Sequence, residues 1–484
     1  MNFGIIIYFL GCILAIEGAL MVLPCIIALI YQETSGFWFL GIGCLCGVLG
    51  WLMAHKKPKN SVVYAKEGFV AVSLSWIVLS FFGALPFWLS REIPRFEDAL
   101  FEVISGFTTT GSSILSDVEA LSHTMLAWRS FTHWIGGMGV LVFLLAILPM
   151  GAGYNIHIMR AESPGPVVGK LVPRVKTSAA ILYLIYFSMT VTEIILLLAS
   201  GMHWFDAICL SFGSAGTGGF GILNDSCASY TVLQQVIITI FIIMFGVNFN
   251  FYYLLLIRKP KEALKSEEVR AYFGIILVSA LLITWNIRDY FPSILTAFQQ
   301  TMFQVGSIIT TTGYSTLDFD LWPSFSKWIM VLLMFIGACA GSTGGGLKVS
   351  RVMMVVKTGA REIQSLIHPR SVKVLKFEGK PMDSSLIRSL GIYLAMYFVT
   401  LFVSVLIISL ENYDLETNFT AVVATINNIG PGLSKVGASC NFGFFNPLSK
   451  VVIMFDMLAG RLELFPMLVL FSPQTWTQAW KIRK

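Results

Sequence analysis

The sequence predicts an all-α polytopic membrane protein. Two leading helices come first, then four repeats of spanning helix, short helix, loop and spanning helix, in pseudo-fourfold arrangement around one axis. Three observations predict it. Residues of the AVILMFWYC set make up 56% of the 484-residue chain, and charged residues only 12%, about half the usual quarter. Ten stretches are apolar over enough residues, about 20 each, to cross a bilayer. Between them, four glycine-bearing loops recur in register.

Length alone would allow two or three soluble domains. A mean hydropathy of +0.76 excludes them, along with a disordered, collagen-like or cytosolic-enzyme chain. The net charge of +6 is spread in short clusters between apolar runs, which is not the footprint of a nucleic-acid binder. The first apolar run, Ile5 to Ile30, is too long for a cleavable signal and lacks a basic flank. Most of the eight cysteines lie inside apolar runs without C-x-x-C spacing and read as small helix residues.

The spans fall near residues 5–30, 37–54, 68–90, 127–150, 177–201, 231–257, 271–290, 326–357, 386–410 and 443–471. Basic residues decide the orientation. One set of connections carries Lys56, Lys57, Lys59 and Lys66, then Arg160, Lys170, Arg174 and Lys176, then Arg258, Lys259, Lys261, Lys265 and Arg270. With nine more between 347 and 388 and three in the tail, this side holds 25 of 33 basic residues, including Lys348, Arg351 and Lys373. The opposite side holds seven, Arg129 and Lys450 among them; Arg461 lies inside the last span. The richer side is therefore expected to be cytoplasmic, with both termini there.

The repeat lies in the connections on the other side. Each contains a segment too short to cross, followed by a loop: Thr108-Thr109-Thr110-Gly111, Gly216-Thr217-Gly218-Gly219, Thr310-Thr311-Thr312-Gly313 and Asn427-Asn428-Ile429-Gly430. The aligned glycines are 108, 94 and 117 residues apart, and six residues before each stands a small residue, Ser105, Gly213, Ser307 or Ala424. A unit repeated four times divides the chain into a leading pair (1–66) and repeats at 67–157, 158–262, 263–368 and 369–484.

Irregular backbone at membrane depth is tolerated only where protein buries it or water reaches it. Four re-entrant helices aiming their partially negative C-termini at one axis favour a cation there. The loops would present carbonyls, glycine would permit the dihedrals that aim them, and threonine hydroxyls could add ligands below. No Asp or Glu occurs in the four loops, so all-oxygen coordination suits a weakly held monovalent cation better than Ca²⁺ or Mg²⁺. The axis thus reads as a pore, with a filter at Thr109, Thr110, Gly111, Thr217, Gly218, Gly219, Thr311, Thr312, Gly313, Asn428, Ile429 and Gly430.

These stretches resemble the Trk/Ktr/HKT superfamily of cation transporters, and within it the membrane subunits of bacterial Trk potassium uptake systems. The resemblance covers essentially the whole chain, on GFTTTGSS (106–113), SAGTGGFG (214–221), TTTGYST (310–316), NNIGPGL (427–433), WIGGMGVLVFLLAILPMG (134–151), GSTGGGLK (341–348) and AGRLELFP (459–466). The leading helix pair favours the Trk branch over the Ktr branch, which generally lacks it. The resemblance implies four M1–pore-helix–loop–M2 units around one pore, K⁺ as the transported ion with no cofactor, and a homodimer. It also implies a cytosolic nucleotide-binding regulator of the TrkA type and the plasma membrane of a prokaryote. A serine at the first filter glycine accompanies sodium transport in plant relatives, so Gly111 implies K⁺ preference. The second and fourth loops depart from the TTTG pattern, which makes the filter less than fourfold symmetric.

Two features below the filter read as a gate. The run Gly341-Ser342-Thr343-Gly344-Gly345-Gly346 interrupts span 326–357; each glycine costs roughly 1 kcal/mol relative to alanine, so this helix should break. Arg461 sits where insertion scales charge about 2.5–3.5 kcal/mol. Gly344 lies 31 residues after Gly313 and Arg461 lies 31 after Gly430, so equal offsets place them at similar depth, with Asn250 at the same offset from Gly219. The resemblance implies the same gate. The glycine run is not a phosphate loop, because Leu347 separates Gly346 from Lys348 and Val349 follows. No acid, base or metal residues converge as an enzyme requires. A symporter driven by H⁺ or Na⁺, or a less selective Ktr-like channel, remains the alternative. Glu17, Glu193, Asp456 and Glu463 are unassigned, the last two flanking Arg461 as its possible neutralisers.

Overall fold

A computed structural model describes residues 1–56, 64–139, 175–370 and 374–476. The second half of span 127–150, the stretch to Arg174 with Arg160 and Lys170, Lys57, Lys59, Lys373 and the basic tail lie outside the described residues.

The leading unit is a hairpin of Phe3–Leu20, continued by Val22–Tyr31, against Gly36–Ala54. Its arms close on small residues: a Cβ on Gly50 would lie 2.6 Å from the Ala15 nitrogen, so only glycine permits this approach. The hairpin docks on the next unit through polar contacts. Glu33 accepts the backbone N–H groups of His123 (2.9 Å) and Thr124 (2.8 Å), and Tyr31 stacks on His123 with centroids 3.8 Å apart. Burial pushes the Glu33 carboxyl up, but hydrogen bonds from Thr124 and His123 outweigh it and hold the group below its usual range.

Four units of one plan follow. The first spanning helices are continuous: Ala65–Leu89, Val175–Ala199, Glu267–Ile287 and Ser384–Ile408. The short helices Phe96–Phe107, Trp204–Gly216, Ile294–Ile309 and Leu415–Ile426 have 12 to 16 residues, short of the roughly 20 a crossing requires. Return helices start at caps suited to them. Ser122 accepts from Met125 N, Thr231 and Gln234 form a reciprocal capping box, and Asn446 accepts from Ser449 N.

The solvent of this fold is lipid. Large apolar side chains face outward along the spans, such as Leu29, Phe37, Leu184 and Leu406, while threonines, serines and asparagines are fully buried around the axis. The chain is a multi-pass membrane protein with long apolar helices at Phe3–Tyr31, Gly36–Ala54, Ala65–Leu89, Ala179–Ala199, Glu267–Tyr290 and Ser384–Glu411.

The return helices correct the sequence reading, which breaks only one of them. The second bends by 92° between Phe245 and Phe249. The third stops at Ile336 and resumes at Val349, so its break is wider than 341–346. The fourth stops at Arg461 and resumes at Phe465. The first reaches Met138, with Gly139 at a φ of 79°. Mid-span glycines had announced only the third break; the second and fourth have one glycine each, Gly246 and Gly460, and are held by tertiary partners.

Candidate functional site

Each short helix ends in the same six-residue closure. Backbone N–H groups of Thr110, Gly218, Thr312 and Ile429 reach back to the carbonyls of Ser105, Gly213, Ser307 and Ala424, at 2.9, 2.9, 2.8 and 2.8 Å. These acceptors are the small residues singled out by spacing. The closure needs a left-handed residue, normally glycine. Here Thr109 (φ 55°), Thr217 (52°), Thr311 (60°) and Asn428 (55°) take that role. Three of them are β-branched, so the backbone is strained in register at three places, a condition that survives only where the surroundings over-determine it.

Two residues further on, Gly111, Gly219, Gly313 and Gly430 are also left-handed, at 80°, 79°, 84° and 100°. Their surroundings close a ring. A Cβ on Gly111 would collide with the carbonyl oxygen of Gly218, one on Gly219 with that of Thr312, and one on Gly313 with that of Ile429. One on Gly430 would come within 2.8 Å of the Thr110 oxygen. Each glycine thus abuts the carbonyl preceding the glycine of the next repeat, in cyclic order. All four also line one cavity of about 220 Å³, with Ser112, Ser315 and Asn441; its lining, among the described residues, holds no carboxylate.

The hydroxyls of Thr110, Thr312 and Thr217 have partners within the protein. Thr110 Oγ1 pairs with Thr108 Oγ1 at 2.7 Å and accepts from Asn428 Nδ2 at 3.0 Å. Thr312 Oγ1 pairs with Thr310 Oγ1 at 2.7 Å, and Thr217 Oγ1 donates to the Gly216 carbonyl at 2.6 Å. These hydroxyls brace the loops. Asn428 also donates to the Met457 carbonyl (2.9 Å), tying the fourth loop to its return helix.

Below the ring, the breaks of the second, third and fourth return helices meet near Gly136 and Gly137 of the first. Thr311 Oγ1 accepts the Gly345 N–H at 2.6 Å, and a Cβ on Gly344 would come within 2.8 Å of the Thr310 oxygen. The 341–346 loop therefore lies directly against the third of these loops. Arg461 donates to the carbonyls of Thr343 (2.8 Å) and Gly137 (2.7 Å) and to that of Gly136. One guanidinium so joins the fourth break to the third and to the end of the first return helix. The second joins through backbone: Phe249 N–H to Gly341 O (3.0 Å) and Cys339 N–H to Gly246 O (3.1 Å).

Several placements depart from sequence reasoning. Arg461 meets the Thr343 carbonyl, one residue from the Gly344 that equal offsets select. Asn250 is exposed; the bend turns it away, and Asn248 stands beside Gly341 instead. Asp456 accepts from Ser404 at 2.8 Å and Glu463 pairs with Arg351, so both serve other partners than Arg461. Glu17 and Glu193 are buried at 1% and 0% exposure, away from the cavity lining.

Other groups had been counted only as charges. Lys348 is 2% exposed and donates to the carbonyls of Gly344 and Gly345, clasping the loop from within. Glu268 accepts the N–H groups of Ala340 (2.7 Å) and Ser350 (3.1 Å), one at each end of the break. Lys450, itself buried, pairs with the partly exposed Asp98 at 2.5 Å. Burial in an apolar sequence context was the available signal, and topology counting overrode it.

A model of the TrkH family, described as cation transport protein, matches residues 32–287 and 289–479. The chain belongs to the TrkH family. It is 37% identical to the Trk system potassium uptake protein TrkH of Salmonella typhimurium and 36% identical to that of Escherichia coli K12, over 99% of this chain and 100% of each relative. Escherichia coli TrkG is 31% identical over 94% of this chain and 95% of its own. The crystal structure of the potassium transporter TrkH from Vibrio parahaemolyticus superposes with a TM-score of 0.88 at 32% identity, covering 98% of this chain and 100% of that one. The all-α architecture expected of this TrkH-family chain is thereby established, and the family is one of transporters.

Proposed function

We propose that this chain takes up K⁺ across the plasma membrane of a prokaryote, driven by membrane potential, with its basic side and both termini in the cytoplasm. The closed ring of four glycines and preceding carbonyls carries this reading, and the names of its full-length relatives support it. Carbonyls of Thr110, Gly218, Thr312 and Ile429, with the residues flanking them, replace the hydration shell of the ion. Absence of carboxylates from the lining, among the described residues, suits a monovalent ion that must leave as readily as it enters. Expressed in a cell lacking its own K⁺ uptake, the chain should restore Rb⁺ accumulation and growth at low K⁺. Accumulation no higher than in the empty-vector cell would refute the reading. A proton or Na⁺ symporter fits less well, since Glu193 lies away from the cavity; inward flux that follows voltage at zero pH gradient separates the two.

The gate is the 341–346 loop with Arg461, and Lys348 holds its shape. The protein works as a homodimer with a cytosolic nucleotide-binding subunit of the TrkA type. A route from that subunit to the gate is supported by contacts. Glu378, in a small hairpin at 376–381, accepts from Ser266 Oγ (2.9 Å) and from the Glu268 N–H (3.0 Å), and Glu268 in turn holds both ends of the break. Helix Val349–Ile367 leaves the break with its residues beyond Met354 unburied, open to a partner. Photo-crosslinkers placed at Arg361, Arg370 or Lys380 should capture the co-purified soluble subunit in at least one nucleotide state. Absence of adducts in every state would remove this segment from the interface.

A further inference from the structure

The second filter loop is held by a charged brace: an arginine and a glutamate at positions that are apolar or neutral in the other repeats. Arg129, in the return helix His123–Met138 of the first repeat, is 3% exposed and bonds Glu102 of the first pore helix at 2.6 Å; Glu102 is 1% exposed. The same guanidinium donates through Nη1 to the Gly221 carbonyl (2.7 Å) and lies 3.6 Å from the centre of the Phe220 ring. Glu102 accepts from Ser113 Oγ (2.9 Å) and from the Ile114 N–H (3.0 Å). One ion pair therefore joins the strand leaving Gly111 to the strand leaving Gly219. One turn along, His133 completes the support: Nδ1 bonds the Gly106 carbonyl at 2.8 Å, and Nε2 accepts the Phe220 N–H at 3.2 Å. That acceptor role places the ring proton on Nδ1.

The brace explains a departure in the sequence. Where the first and third loops carry Thr110 and Thr312, the second carries Gly218, and a Cβ there would overlap the His133 ring. Histidine occupies the room a threonine would need. Two consecutive glycines then make this loop the most pliable of the four, so support from behind matters most here.

Fold stability alone does not account for a buried ion pair, since desolvation offsets most of its attraction. The molecule contains its own control. At the position of Glu102, nine residues before the glycine, the third repeat has Gln304, which reaches the Leu317 carbonyl at 3.0 Å with a neutral amide. The residues equivalent to Arg129 are Ile237, Val331 and Leu448. A neutral side chain thus suffices to tie a pore helix to its following strand.

We propose that Arg129 and Glu102, with His133, are positioning residues for selectivity: they stop the Gly218-Gly219 loop from closing onto ions smaller than K⁺. The proposal rests on the reading of the glycine ring as the filter. Its test is the ratio of Na⁺ to Rb⁺ uptake by full-length protein in proteoliposomes, normalised to folded protein. Arg129→Lys keeps the charge, but a single ammonium cannot reproduce the guanidinium fork across Glu102 and Gly221. Glu102→Gln keeps the shape and loses the acceptor for Ile114. Each should raise the ratio about tenfold, a shift of about 1.4 kcal/mol between ions, while Rb⁺ uptake persists. Gly111→Ser is measured beside them. A native ratio in both brace variants with an altered ratio in Gly111→Ser overturns the proposal and leaves the filter standing. A native ratio in all three overturns the filter reading itself. Loss of both brace variants from the membrane, with a native ratio in the folded remnant, makes the pair a fold element and also overturns the proposal.

Discussion

Arg461→Ala should raise Rb⁺ flux per folded protein by about tenfold or more while leaving the ratio of Rb⁺ to Na⁺ near its native value. Three carbonyls, of Thr343, Gly136 and Gly137, accept from this one guanidinium. Hydrogen bonds from a charged donor contribute about 1.5–3 kcal/mol each, so the closed arrangement loses several kcal/mol, against about 1.4 for each tenfold shift in population. The same change removes a positive charge from beneath the ring of four glycines, where on the proposed reading it opposes an entering cation. Selectivity should survive because the carbonyls of Thr343, Gly136 and Gly137 that accept from Arg461 lie outside the ring of Gly111, Gly219, Gly313 and Gly430. Deleting Ser342 to Gly345 should act in the same direction by removing the Gly345 N–H that reaches Thr311. An arginine that merely reached for the membrane surface would leave flux unchanged and reduce only the amount of inserted protein. Equal or lower flux in both variants, measured on folded protein, would sink the gate.

What could be read from the sequence was whatever repeats or is dear to bury. Four glycines in register, small residues six positions earlier and an arginine within an apolar run each mark a place where ordinary helix packing fails. The structure puts there a left-handed backbone, the carbonyl that closes each loop, and a guanidinium shared among three carbonyls. Less legible were features that exist only through tertiary partners. The 92° bend at 246–248 interrupts an apolar run with a single glycine in it, Gly246, and its bonds go to Cys339 and Gly341, about 90 residues away. Equal spacing misplaced Asn250 because such a bend rotates everything after it. Lys348, Arg129 and Lys450 entered a count of loop charges, and only the fold shows their partners to be a glycine carbonyl, a glutamate and an aspartate. A count of basic residues treats each as solvated, and three buried ones look no different in a string of letters.

Gly111→Ser should raise Na⁺ uptake relative to Rb⁺ by about tenfold or more, equivalent to about 1.4 kcal/mol lost in discrimination. Two penalties act at this position. A side chain at a φ of 80° is in a region L-residues disfavour by roughly 1–2 kcal/mol. Its Cβ would also overlap the Gly218 oxygen, an atom of the ring itself, so relief must come from moving a carbonyl of the ring. The strain is thus delivered to the filter rather than to the surrounding helices. Gly430→Ser offers a graded comparison, since there the Cβ would stand 2.8 Å from the Thr110 oxygen, and a smaller displacement should give a smaller change in ratio. Gly391, in the first spanning helix of the fourth repeat, has nothing within 4 Å of where a Cβ would sit, and Gly391→Ala should leave both flux and ratio native. The order Gly111, then Gly430, then Gly391 is the test. Folded Gly111→Ser protein with a native ratio, or a larger effect at Gly391 than at Gly430, would show that contact with the carbonyl ring does not govern which ion passes.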